Sequence, residues 1–191
     1  MTAEEALKRL KAGNERFVSG RPAHPNCSCG RRQEILKGQK PFAVVLSCSD
    51  SRAPPELIFD CGFGDIFVIR EAGNTYNDVA IGAMEYVVGH LGARLVIVMG
   101  HSDCGAVKAA VSGAPLPGKI PLVLEEIKPA VERARRMKGD VIENAIREHV
   151  RIAVEEFSSC GPILSEKVKS GELRIVGAYY DLATGEVAFL E

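Results

Sequence analysis

Phe42-Ala43-Val44-Val45-Leu46-Ser47-Cys48-Ser49-Asp50-Ser51-Arg52 decides how this chain is read, together with Leu95-Val96-Ile97-Val98-Met99-Gly100-His101-Ser102-Asp103-Cys104. In each stretch a short apolar run rich in branched residues leads into polar residues. Runs of this kind read as buried parallel strands. In an open parallel sheet, ligands bind beyond the carboxyl ends of the strands. If these two strands are neighbours, Cys48, His101 and Cys104 converge at one edge. Two thiolates and an imidazole make the donor set of a zinc ion with one position left open. Spacing alone leaves a second account standing: two buried structural cysteines and a core histidine.

Working outward, Thr2-x-x-Glu5 is a capping box, and Leu7, Leu10, Asn14 and Phe17 follow at helical spacing, which predicts a helix over about 3–18. Its narrow apolar stripe requires a surface to cover, in its own domain or on a partner subunit. Residues 20–30 read as a loop and 31–37 as a short helix. Pro54-Pro55 starts a helical turn over about 55–60. Residues 66–69 form a second strand. Asn77 or Asp78 caps a helix to about Leu91, with Ala83, Tyr86, Val87, His90 and Leu91 on one stripe. A helix opens near Asp103, and its dipole favours a Cys104 thiolate. A Gly/Pro segment at 113–121 precedes helices at about 122–137 and 141–157, and a short helix runs from 161 to about 171. Residues 173–180 form a fourth strand and 187–190 a fifth, joined by a hairpin. The pattern is α/β: a mostly parallel central sheet of four strands plus an antiparallel C-terminal edge strand, flanked by helices. One domain is expected over 1–191, with an N-terminal helical arm at 1–38 and an α/β core at 39–191.

The totals exclude several classes. A length of 191 residues with 46% hydrophobic and 26% charged residues fits a globular protein with a real core. The net charge of −1 gives no reason to expect nucleic acid or an anionic membrane as partner. No apolar run approaches the roughly 18 residues of a membrane span, and the acidic start lacks a secretion signal. Six cysteines in a chain this long point to metal ligation and reduced burial rather than a disulfide framework, hence a cytoplasmic protein. Gly62-Phe63-Gly64 precedes a strand instead of following one, which removes a nucleotide-binding reading.

Asp50 and Arg52 stand two and four residues beyond Cys48. A carboxylate there either ligates the metal and closes the site, or pairs with Arg52 and orients a metal-bound hydroxide. A salt-bridged turn with neither role is the plainer reading. Tyr86 and His90 share a helix face. Histidine changes charge near neutral pH, as a proton shuttle must, though a helix-end histidine bonding the last carbonyls fits as well. Cys61 reads as a buried thiol or an oxidisable one. His24, Cys27 and Cys29 have poor spacing for a second metal site.

Cys48-Ser49-Asp50-Ser51-Arg52 together with Gly100-His101-Ser102-Asp103-Cys104-Gly105-Ala106 resembles the β-class carbonic anhydrases, and the similarity extends from about Gly38 to Val111. The resemblance implies one zinc ion per subunit on Cys48, His101 and Cys104, with Asp50 and Arg52 as the dyad that orients zinc-bound hydroxide. Asp50 would be a fourth ligand in a closed state. The implied reaction is reversible hydration of carbon dioxide to bicarbonate and a proton. Matches to the plant-type branch imply that Gln39 donates to substrate oxygen. They also imply that Phe67, Ala72 and Tyr86 line the pocket and that His90 stands at a histidine position. Asn74 falls near that family's arginine-to-asparagine segment. In the family, pocket residues such as Phe67 and Tyr86 come across a dimer interface, which implies a homodimer, or a tetramer or larger assembly. The chain has no tryptophan, which speaks against the noncatalytic bicarbonate pocket of some relatives, so Arg70 is expected in a strand-end salt bridge, and Tyr179 and Tyr180 in the core. Hydrolysis of carbonyl sulfide or carbon disulfide at the same site is a rival reading, and a noncatalytic zinc or thiol sensor is another.

Overall fold

The computed structural model describes residues 1–190. Five strands form one sheet in the order β2-β1-β3-β4-β5: β1 is Ala43–Cys48, β2 Ile66–Glu71, β3 Leu95–His101, β4 Arg174–Tyr180 and β5 Val187–Leu190. The pairs β1–β2, β1–β3 and β3–β4 are parallel, and β5 runs antiparallel to β4. This is the expected α/β sheet. β1 and β3 run two residues further than the apolar runs suggest, so Cys48 and His101 end their strands rather than follow them. Every residue of both strands is buried, as continuous branched apolar runs require when helices cover both faces. Chain order reverses at β1, whose neighbours are reached by crossovers in opposite directions. That reversal is a topological switch point, where open sheets of this kind gather ligands.

Helices α1 (Ala3–Val18), α2 (Cys29–Glu34), α3 (Pro55–Ile58), α4 (Asp78–Tyr86), α5 (Gly105–Ser112), α6 (Ile120–Ala134), α7 (Val141–Ser159) and α8 (Pro162–Lys169) surround the sheet. The capping box at Thr2 and Glu5 forms as expected. α1 docks on its own chain. Gly13 lies against the Phe59 carbonyl, where any Cβ would overlap the oxygen. The Asn14 side chain donates to the carbonyls of Ile58 (3.2 Å) and Gly185 (2.9 Å), and accepts from the Val187 N–H (2.9 Å).

Several boundaries moved. α2 starts at Cys29 rather than Arg31, because the Ser28 side chain caps it by accepting from the Arg31 N–H. α5 opens at Gly105, with Cys104 as its cap residue. The helix expected to run on to Leu91 is α-helical only to Tyr86 and widens to a π-turn over Val87–Leu91. Its inward stripe also differs. Ala80, Met84, Val87 and Val88 are buried, whereas Tyr86 and His90 face outward, Tyr86 with 51% exposure. The set 80, 84, 87, 88 is the i, i+4, i+7, i+8 pattern of one helix face, and the polar tips of Tyr86 and His90 leave them off it.

Candidate functional site

β1 and β3 are hydrogen-bonded neighbours whose registers place Ser47 opposite Met99, so their carboxyl ends deliver Cys48 and His101 side by side. Cys104 follows the turn His101–Cys104, where Asp103 adopts φ +60°, a left-handed geometry that aspartate tolerates. The sulfurs of Cys48 and Cys104 and a ring nitrogen of His101 all lie within 4.8 Å of one another, and all three residues are buried. The ligand atoms of a tetrahedral zinc, at bond lengths of ~2.1–2.3 Å, stand roughly 3.5–4 Å apart. Among the described residues no second such group exists, so His24, Cys27 and Cys29 do not assemble a site.

His101 is oriented as a metal ligand would be. Its Nδ1 lies 2.8 Å from the Ser102 carbonyl. A carbonyl only accepts, so Nδ1 carries the proton and Nε2 keeps its lone pair. Nε2 is buried and has no hydrogen-bond partner among the described residues. An orphaned acceptor beside two thiols is the arrangement a soft divalent cation satisfies.

Electrostatics point the same way. The Cys104 thiol donates to Cys48 and outweighs burial. With help from the N–H groups of Asp50 (3.4 Å) and Gly73 (3.1 Å), it holds the Cys48 thiol well below the usual thiol range. Hydrogen bonding to that thiolate pushes Cys104 up in turn. The Cys48 sulfur is thus biased toward the thiolate, the form that ligates a cation.

Asp50 sits at the rim. Arg52 grips it with Nε to Oδ1 (3.0 Å) and Nη2 to Oδ2 (2.8 Å), and the Arg52 N–H adds a third bond to Oδ1 (2.9 Å). The guanidinium holds the carboxyl well below the usual carboxylate range. Oδ2 lies 3.9 Å from His101 Nε2. Arg52 also reaches Asp103 Oδ2 (3.4 Å), and Lys108 holds the other carboxylate oxygen, Oδ1.

Two contributors were not foreseen. Arg70 makes no strand-end salt bridge among the described residues. It donates instead to the carbonyls of Cys48 (3.1 Å) and Asp50 (2.6 Å), so one side chain pins the backbone on both sides of Ser49. Gly73 sits at φ +69° and points its N–H at the Cys48 sulfur, with Ala106 Cβ and Ile127 Cδ1 both 2.9 Å from where a Cβ would stand. A glycine between Ala72 and Asn74, just beyond a strand end, was the available signal. Tyr179 and Tyr180 are buried as expected. Cys61 is half-buried, and burial pushes its thiol up to about 12, which makes it a poor nucleophile.

The remaining pocket candidates split. Ala72 precedes Gly73 in the turn beside Cys48, and Asn74 follows it, buried. Phe67 pairs with Val44, four residues or roughly 13 Å of strand before Cys48. Gln39 is exposed and precedes β1, at the opposite end of the sheet from the thiols. Tyr86 and His90, with ring centroids 5.4 Å apart, also lie toward that end; His90 precedes β3, whose length alone separates it from His101 by roughly 20 Å. Within one chain these four do not meet the metal cluster.

Comparison with known proteins came down on one side. The family model described as carbonic anhydrase matches residues 43–187. Carbonic anhydrase 2 of Mycobacterium tuberculosis is 41% identical over 184 residues, covering 94% of this chain and 89% of the relative. The solved structure of the β-carbonic anhydrase CcaA superposes with a TM-score of 0.76 at 31% identity, covering 97% of this chain and 95% of the other. A structure of tetrameric β-carbonic anhydrases from Sordaria macrospora shares the fold at TM-score 0.76 and 24% identity, with coverage of 98% and 95%.

Proposed function

The chain belongs to the β-class carbonic anhydrases, and from that premise we propose that it hydrates carbon dioxide reversibly to bicarbonate and a proton, with one zinc ion per subunit on Cys48, His101 and Cys104. The observation that carries this reading is the meeting of two cysteine sulfurs and an unbonded histidine nitrogen at the ends of adjacent strands. A zinc ion in such a donor set lowers the pKa of a bound water to about 7 and so supplies the nucleophile near neutral pH.

The chain's own residues do the positioning. Asp50 stays ionised through neutral pH and can only accept a hydrogen bond, at Oδ2, the oxygen nearer His101. That fixes the orientation of the attacking water. Arg52 holds both carboxylate oxygens, so a closed form with Asp50 as fourth ligand requires its fork to let go. The backbone bonds of Arg70 keep Cys48 and Asp50 at a fixed separation. The pocket we assign to Ala72 beside Cys48 and to Gln39, Phe67 and Tyr86 from a second copy of the chain. The last three sit too far from their own metal cluster to act on it, which supports a homodimer with exchanged pocket walls. The amide of Gln39 then donates to the oxygen on which charge develops. The proton relay we assign to His90 of that second copy, which stands exposed beside Tyr86. A cytoplasmic setting fits six unpaired cysteines.

The test is a stopped-flow carbon dioxide assay on protein of measured zinc content, with carbonyl sulfide run beside it. Cys48→Ser and Cys104→Ser are expected to lose stoichiometric zinc. Asp50→Asn is expected to keep zinc and lose about a hundredfold in rate. An unchanged rate removes the orienting role of Asp50, and turnover of carbonyl sulfide alone moves the assignment to the hydrolases.

A further inference from the structure

A group of cationic side chains lies at the other end of the sheet. A cavity of about 300 Å³ opens at the amino ends of β1, β2 and β3, where Arg9, Arg31, Lys40 and Arg94 line it beside Asn26 and Asp65. The one lining carboxylate offsets Arg9 alone. Asp65, buried with its chain 5% exposed, already accepts from Arg9 Nη2 (2.7 Å), from Asn26 Nδ2 (2.9 and 3.1 Å) and from the Gly62 N–H (2.9 Å). Arg9 is further fixed by stacking 4.2 Å over the Phe42 ring. Arg31 spends its Nε on the Phe63 carbonyl (3.2 Å) and reaches an exposed Glu34 (3.3 Å). Among the described residues neither Lys40 nor Arg94 has any side-chain hydrogen-bond or ion-pair partner within the protein.

Holding guanidinium and ammonium groups around one concavity costs self-repulsion. The chain as a whole carries a net charge of −1, so the cluster is not a by-product of a basic protein. Guanidinium forks match the paired oxygens of a phosphoryl group, and lysine serves as a point charge beside them. The volume lies at the lower end of small-molecule pockets, several times what one bicarbonate fills. The excess of cations suits a multiply charged ligand better than a monocarboxylate.

We propose that this cavity is a binding site for a small phosphate-bearing anion, separated from the metal cluster of its own chain by the length of β1. The site is built from Arg31, Lys40 and Arg94, with Arg9 fixing the wall.

Isothermal titration of the zinc-loaded protein tests it, using pyrophosphate, inorganic phosphate and bicarbonate at one ionic strength. Pyrophosphate is expected to bind saturably and more tightly than phosphate, with bicarbonate weakest. Lys40→Ala and Arg94→Ala are each expected to weaken pyrophosphate about tenfold, the effect of one charge-assisted hydrogen bond, with unchanged circular dichroism and zinc content. Lys108→Ala, whose charge lies near the metal centre, is expected to leave the affinity unchanged. No saturable pyrophosphate binding overturns the proposal. So does binding that survives both cavity substitutions, which places the anion elsewhere, or a preference for bicarbonate, which makes the cavity a simple anion trap.

Discussion

His149 is buried to 1% exposure on α7, stacked on Tyr76 at 6.3 Å, and neither ring nitrogen has a hydrogen-bond partner among the described residues. Burial outweighs the nearby Gly73 and Asn74 backbone and pushes its pKa down to about 4. The unfolded chain binds this proton at about 6.5. Between those values the unfolded state therefore carries more protons, so stability falls as pH drops through that window. His149→Gln is expected to flatten the dependence by on the order of 3 kcal/mol across it. Urea unfolding of both proteins at pH 4, 5.5 and 7 measures this; parallel curves would show that His149 binds its proton as readily in the fold as in the unfolded chain. At this scale the sequence was legible where chemistry restricts residue type: the grouping of Cys48, His101 and Cys104 and the pairing of Asp50 with Arg52 stood out because few side chains can ligate a soft metal or make a two-bond ion pair. Arg70 and Gly73 did not, because each acts on backbone or through backbone brought close only by the fold.

α1 shows the same division among elements. Its capping box and spacing made it readable, but the surface it covers was not, since nothing local says whether a stripe docks on its own chain. The docking rests on Gly13 and on Asn14, whose amide bridges α3's Ile58, the hairpin's Gly185 and the start of β5. Asn14→Ala leaves the Ile58 and Gly185 carbonyls and the Val187 N–H without this partner, and a loss of about 2–4 kcal/mol is expected. Chemical denaturation reads the loss, and zinc content should not change. A loss under 1 kcal/mol would mean that water replaces the amide. The π-turn at Val87–Leu91 could not be foreseen from periodicity. One extra residue per turn shifts the phase of a stripe without altering its composition.

For the molecule as a whole, the parallel order could be read because buried strands announce themselves as apolar runs, and the switch point followed from their adjacency. The distance of Gln39, Phe67 and Tyr86 from the thiols could not be read from spacing, because distance along a sheet is invisible in it, and only the family resemblance pointed to a second chain. Gln39 is only nine residues from Cys48, yet the strand between them carries it to the far end. If each pocket is walled by the other copy, two crippled chains can repair one another. A Cys48→Ser subunit lacks its metal but still offers Gln39, and a Gln39→Ala subunit keeps its metal but offers no donor. Mixed one to one and allowed to exchange, half of the dimers are hybrids with one sound site in two, which returns about a quarter of wild-type activity. Each variant alone stays far below that. Complementation of this kind occurs only when one active site draws on two chains, and its failure in verified hybrids would return Gln39 to the solvent.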